Sequence, residues 1–367
     1  GGRPASRDDL VPCRALNARC LTPFATAFAK ASRRRRAMAC TSSIGPGALN
    51  MVTGAAVAHV NRLPLLLLPG DIFANRIPDP VLQQIEDFGD GTVSANDAFR
   101  SVSRYFDRIT RPEQIIPAFN RAMTVLTDPA ECGPVTLSLC QDVQAEAFDY
   151  PESFFADRIH HIRRAEPDER ELVEAAALVR TSSKPLVIAG GGVLYSGAER
   201  ALAEFCNRHG VPSGETQAGK STLLPDHPLN MGGLGVAGTS AANDLAEEAD
   251  LIIAVGTRLQ DFTTGSWGIF HNPSVKIVTL NVQVADATKH LATPLVADAR
   301  VGLRALESHL SGWKADPDWT QKAKNGLAGW LESSLRYQAE PPVSQATLPS
   351  DAQVVGAVQR VARARDV

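Results

Sequence analysis

The chain has 367 residues, 44% hydrophobic and 21% charged, and carries a formal net charge of −3. That balance is ordinary for a globular chain of two or three domains and gives no electrostatic case for nucleic acid or an anionic membrane. No apolar run reaches the ~18–20 residues that a membrane span needs and no signal peptide opens the chain, so a cytoplasmic protein is expected. The six cysteines, Cys13, Cys20, Cys40, Cys132, Cys140 and Cys206, form no CxxC pair and no zinc spacing. Several sit in apolar runs that suit a reduced, buried thiol.

Residues 1–21 hold neither a helical nor a strand period and do not read as the start of a domain. A small-residue helix is expected over 25–31. The basic run Arg33, Arg34, Arg35 and Arg36 that follows suits a solvated helix end favoured by the dipole. The first half is organised around residues 41–71. Residues 37–41 suit a short buried strand, and Gly45-Pro46-Gly47 forces a tight turn, since glycine reaches φ > 0 freely and proline fixes its own φ. Leu49, Val52, Ala56 and Val60 then recur every three or four positions, predicting a helix with one apolar stripe that Pro64 stops. Residues 65–68 predict a parallel strand covered on both faces. The result is a βαβ unit with glycine at its first turn, where open α/β sheets bind ligands.

Past Asp71, residues 81–88 predict a short helix. Residues 112–126 predict an amphipathic one with Ile115, Ile116, Phe119, Ala122, Met123 and Leu126 on one face. Residues 133–140 predict a closing strand, and 150–164 a linker. Its His160 and His161 are expected on the surface, because neighbours in sequence cannot face one metal from a helix. From there helices over 170–180, 198–208, 241–248 and 300–310 alternate with strands at 185–189, 211, 251–255 and 275–280, implying a parallel sheet wrapped by helices. A polar, proline-containing linker follows at 338–349. The amphipathic helix over 351–361, with Val354, Val355, Val358 and Val361 apolar, has nothing of its own to bury against.

Three glycine motifs invite a site. Residues 214–221, GETQAGKS, match the P-loop pattern, but Pro212 interrupts the approach while Pro225 and Pro228 deny the helix a phosphate cradle requires. Gly190-Gly191-Gly192 follows a strand, yet Tyr195 stands at the third glycine of a dinucleotide fingerprint, so a plain strand-to-helix turn is expected. Gly89-Asp90-Gly91 reads as a loop.

Residues 45–54, GPGALNMVTG, carry a resemblance to the pyrimidine-domain signature of thiamine-diphosphate enzymes of the acetolactate synthase type. The segments 70–76 (GDIFANR), 78–84 (PDPVLQQ) and 106–114 (FDRITRPEQ) are similar to one branch of it, which hydrolyses a cyclic 1,2-diketone in myo-inositol breakdown. The resemblance runs from about Phe24 to the C-terminus. It implies an α/β fold: a parallel-sheet pyrimidine-binding domain over 1–150, degraded at its N-terminus, and a Rossmann-like parallel-sheet middle domain over 151–338. Residues 339–367 would be a linker and the first helix of a missing diphosphate-binding domain. It further implies thiamine diphosphate and Mg2+ as cofactors, a small cyclic polyol diketone as substrate, a homodimer or homotetramer, and Pro46, Gly47 and Asn50 as cofactor contacts.

Where the sequence departs from the family, function is put in doubt. The family's activating glutamate aligns with Ala18, and its His-Asn-Glu-Gln pattern survives only as Asn17. The Asn-Asn pair that holds the metal occurs nowhere in the chain. No catalytic residue or metal ligand is therefore assigned. The chain reads as a fragment, truncated or frame-shifted, and is expected to be inactive alone and to hold the cofactor weakly. A non-catalytic homologue or assembly module, and a nucleotide-binding protein using residues 214–221, stand as the rival readings.

Overall fold

A computed structural model describes residues 18–85, 87–339 and 348–363, with the backbone alone at 18, 19 and 339. They fall into two compact units, one up to Arg163 and the other from Arg164.

The first unit opens with α1 (Ala18–Ala31), then β1 (Ala39–Ser42), α2 (Pro46–Leu49), α3 (Val52–Asn61), β2 (Leu65–Asp71), β3 (Tyr105–Ile109), α4 (Ile115–Thr127) and β4 (Pro134–Cys140). Its four strands are all parallel, in the order β1-β2-β4-β3. α1 begins upstream of the helix expected at 25–31 and tolerates Pro23 inside it. The reason lies in its packing: Gly54 of α3 is so close that a Cβ there would stand 1.9 Å from the Thr22 hydroxyl and 3.2 Å from the Pro23 ring.

The same approach reverses the expected face of α3. Gly54, Ala55 and Ala58 are the buried residues, while Val57 and Val60 are 43% and 54% exposed. Small residues let two helices come together, and that closeness outweighs the larger apolar side chains of the predicted stripe. On β2 every second residue is fully buried and the others only partly, so one face is better covered than the two-sided burial expected.

No helix forms among the described residues of 81–88. Gln83 has φ 64°, in the left-handed region, and Leu82 and Phe88 are 85% and 96% exposed. An apolar period with no core to bury it does not fold as a helix. His160 and His161 are exposed, as expected.

The second unit runs α5 (Glu169–Thr181), β5 (Pro185–Ala189), α6 (Gly191–Ser196), α7 (Glu199–His209), β6 (Ser213–Glu215), β7 (Asn230–Gly233), α8 (Ser240–Glu248) and β8 (Leu251–Val255). It continues with α9 (Asp261–Thr264), β9 (Lys276–Asn281), α10 (Val284–Ala287), β10 (Thr293–Val296), α11 (Ala299–Ser308), α12 (Pro317–Ala339) and α13 (Asp351–Val361). Its sheet is wholly parallel, in the order β10-β9-β8-β5-β6-β7. That is the doubly wound order, with the switch point between the first and fourth strands of the unit. β5 and β8 are buried along their whole length, as central parallel strands must be.

α13 does find a neighbour, contrary to the expectation from sequence. Gly356 is buried against the backbone of Gln338 on α12, and Arg360 donates to the Gln338 carbonyl at 3.3 Å. Val354, Val355, Val358 and Val361 nonetheless stay 49–76% exposed.

Candidate cofactor site

All four strands of the first sheet end at one carboxyl edge, the edge at which parallel sheets receive ligands. β1 runs out at Ser42, and Gly45 takes φ 64° to turn the chain into α2. A side chain at Gly45 would also stand 1.8 Å from the Gln83 carbonyl oxygen, so glycine is required twice over. Pro46 opens α2, where a missing amide hydrogen costs nothing. Asn50 caps the other end, its Nδ2 donating to the Pro46 carbonyl at 3.0 Å. Pro46 is exposed, while Gly47 and Asn50 are half-buried. The structure thus brings the three sequence-predicted contact residues into one turn at the carboxyl edge.

Beside that edge lies an array which sequence reasoning missed. Asp71, 1% exposed at the end of β2, receives Arg108 Nε at 2.8 Å and the Ser138 hydroxyl at 2.6 Å on Oδ2. The Ile72 amide donates to its Oδ1 at 2.8 Å. Arg108 on β3 also donates to Ser94 Oγ at 2.7 Å and to Asp97 Oδ2 at 3.1 Å. Asn96 is wholly buried, its Nδ2 donating to the Gly70 carbonyl at 2.8 Å and to Ser138 Oγ at 2.6 Å. Burial opposes the charge on Asp97, but the Ser94 amide, Arg100 and Arg108 outweigh it and hold this carboxyl below the usual range. Burial likewise opposes the charge on Arg108, and Asp71 and Asp97 more than offset it. The available signal was an acid closing an apolar strand, LLLLPGD, and an arginine inside another strand.

The other motifs fare differently. Residues 214–221 make no phosphate cradle: the Glu215 carboxylate accepts the Ser221 amide at 2.8 Å and Thr216 Oγ1 accepts the Gly219 amide at 3.1 Å. Only the 3₁₀ turn Gln217–Gly219 follows β6, and the next α-helix starts at Ser240. Burial pushes Glu215 up, outweighing the Ser221 amide and Lys220.

At Gly190 a Cβ would stand 2.4 Å from the Gly256 carbonyl oxygen, and at Gly219 it would stand 2.1 Å from that of Ala189. Backbone at Gly256 and in the 217–219 turn therefore closes directly on the Gly190 turn. Asp87 Oδ1 accepts the Gly89 amide at 2.8 Å, and Asp90 Oδ1 accepts the Thr92 hydroxyl at 2.6 Å, so Gly89-Asp90-Gly91 is an exposed, self-bonded loop.

Ala18 is the first residue of α1, and Asn17 lies outside the described residues. Cys40, Cys132, Cys140 and Cys206 are buried free thiols, and Cys20 is exposed. Burial pushes the Cys140 thiol up to about 12, so it stays neutral. Among the described residues no group of three or more His, Cys, Asp or Glu is placed to hold a metal, and no helix is long and apolar enough to cross a membrane.

Comparison with known proteins supplies the class. Residues 10–90 match the thiamine pyrophosphate enzyme N-terminal TPP binding domain, and 172–306 match the thiamine pyrophosphate enzyme central domain. The chain belongs to the thiamine pyrophosphate enzymes. At the level of the domain the likeness therefore begins upstream of Phe24, where the sequence reading placed its start.

Within that class the chain is similar to 3D-(3,5/4)-trihydroxycyclohexane-1,2-dione hydrolases. It is 54% identical to that of Geobacillus thermodenitrificans over 289 residues, which is 79% of this chain and 45% of that protein. It is 49% identical to that of Clostridium perfringens over 311 residues, or 85% of this chain and 49% of that protein. With that of Bacillus cereus the identity is 48% over 306 residues, covering 83% and 48%. The chain spans about half the length of the curated relatives it matches.

Proposed function

We propose that this chain supplies the pyrimidine-binding and middle domains of a thiamine-diphosphate-dependent hydrolase. The reaction would open a cyclic polyol 1,2-diketone between its carbonyl carbons, in myo-inositol catabolism in the cytoplasm. The observation that carries this reading is the 45–50 turn, whose glycine and proline chemistry is that of the family signature and which opens at a sheet edge fit for a ligand. The activity for which the relatives are named supports the substrate class. The domains are proposed to run over 1–150, 151–338 and 339–367.

The turn fits the heterocyclic part of the cofactor. Gly47 keeps its backbone bare, since a Cβ there would stand 2.3 Å from Ser43 Oγ, and exposed Pro46 offers an apolar ring edge beside the half-buried Asn50. Thiamine diphosphate, when bound, supplies a carbon nucleophile and an electron sink for breaking the ring bond. Pro46, Gly47 and Asn50 would orient it and exclude water from one of its faces. The described residues do not fit the Mg2+–diphosphate end: the Gly89-Asp90-Gly91 carboxylate is engaged by Thr92, and no ligand cluster stands nearby. The 367-residue chain alone is expected to hold the cofactor weakly and to turn over no substrate.

A homodimer or homotetramer is proposed for the complete enzyme. The exposed Phe24, Val57 and Val60 on α1 and α3 support it, being apolar side chains that an isolated unit leaves in water. The test of the whole reading is a chimera in which residues 24–338 replace the matching part of the Geobacillus relative. Ring opening of the cyclic dione that is lost on Asn50→Ala is the expected result. A folded chimera without turnover contradicts the reading.

A further inference from the structure

We infer that Asn96, with Asp71 and Arg108 behind it, is a positioning device for the 43–50 turn; this deepens the cofactor reading above and rests on it. The inference starts at Gly70. A Cβ built on Gly70 would stand 3.3 Å from the Ile44 amide nitrogen and 3.6 Å from the Ser42 carbonyl oxygen, so the root of the turn lies directly on β2 at this residue. The Gly70 carbonyl is held by Asn96 Nδ2 at 2.8 Å. Asn96 belongs to the 3₁₀ turn Ala95–Phe99, which itself packs against α2. One residue thus touches the strand under the turn and sits in the element beside it.

The rest of the array fixes Asn96. Its second amide hydrogen goes to Ser138 Oγ at 2.6 Å, and Ser138 donates onward to Asp71 at 2.6 Å. Ser94 caps the 3₁₀ turn while receiving Arg108 Nη2 at 2.7 Å, and Asp97 closes the cap by accepting the Ser94 amide at 2.7 Å. Arg108 therefore ties the capped turn to Asp71, the residue after Gly70. The Oδ1 of Asn96 is buried and has no hydrogen-bond partner among the described residues.

The experiment is site-resolved amide hydrogen exchange on the whole chain, comparing residues 43–50 with the β4 amides 135–139. The wild-type protein is set beside Asn96→Ala, Arg108→Lys and Arg108→Met. Positioning predicts that Asn96→Ala speeds exchange at 43–50 at least tenfold while the β4 amides keep their rates. It also predicts that Arg108→Lys, which keeps the charge, lies between the wild type and Arg108→Met. Equal acceleration across the first unit in Asn96→Ala, or none at 43–50 in that variant, overturns the inference.

A second arm adds millimolar thiamine diphosphate. Slowing at 43–50 in the wild type that is weakened in Asn96→Ala supports positioning for the cofactor, and equal slowing in both overturns it. No slowing in either protein overturns the cofactor reading itself, while the ligand-free rates decide the clamp separately.

Discussion

Two glycine turns, one in each unit, stand at the same place in the fold and do opposite things. Both follow a parallel strand and open a short helix at the carboxyl edge of a sheet. At Gly45-Pro46-Gly47 the glycines seat the turn against Gln83 and Ser43, and Pro46 is left facing solvent beside a charged, hydrogen-bonded array. At Gly190-Gly191-Gly192 the glycines admit the protein's own backbone, Gly256 from one side and Ala218 from the other. A glycine run after a strand reports that backbone comes close. Whether the approaching group is a ligand or the protein itself depends on loops distant in sequence.

The largest effect expected from breaking this contrast is on the charged side. Arg108→Met leaves the buried Asp71 carboxylate without its cation, and loss of one partner of such a pair typically costs about 3–5 kcal/mol. Denaturant unfolding of the first unit measures it. Next comes the filled turn: Gly219→Ala drives a methyl into the Ala189 carbonyl oxygen and should cost about 1–3 kcal/mol, because backbone rather than a side chain must yield. Gly47→Ala meets the Ser43 hydroxyl at 2.3 Å and the Ser42 hydroxyl at 3.0 Å, both side-chain ends that can rotate away, and alanine favours a helix, so its cost should stay under about 1 kcal/mol. A Gly47→Ala penalty as large as that of Gly219→Ala would erase the distinction.

Acid separates the units more gently, and with opposite signs. Asp97 has a folded pKa below its unfolded value, so its stabilisation is present above the unfolded pKa and is lost as pH falls through the folded one. Glu215 has a folded pKa above its unfolded value, so it costs stability as pH rises through the unfolded value and is relieved on acidification. Lowering pH below ~4 should therefore loosen the 92–108 region, and Glu215→Gln should flatten the pH response of the 215–222 loop; exchange measured against pH reads both. The smallest effect is a null: Lys220→Ala should leave ATP binding absent, as in the parent chain, because the Ser221 amide is already taken by Glu215.

The parts legible in the sequence were those governed by local chemistry. Gly45, Pro46 and Pro64 announce the turn and the helix end, and the buried strands β5 and β8 read as continuous apolar runs. The strands that escaped notice, β3, β7 and β10, are short and carry polar residues, glycines or a proline, so their period is weak. The false helix over 81–88 and the inverted face of α3 failed for one reason. Apolar spacing says what a segment could bury, and packing against Thr22 or Gln83 decides what it does bury. The Asp71–Arg108–Asn96 array was illegible because its members come from three segments that only the sheet brings together.

The central claim is that the first of the two turns faces a ligand and the second does not. Amide hydrogen exchange over the whole chain, with and without millimolar thiamine diphosphate, tests it in one measurement. Slowed exchange at 43–50, with 189–193 and 216–221 unchanged, is the predicted result. Slowing at 189–193 or 216–221 with 43–50 unaffected would contradict it.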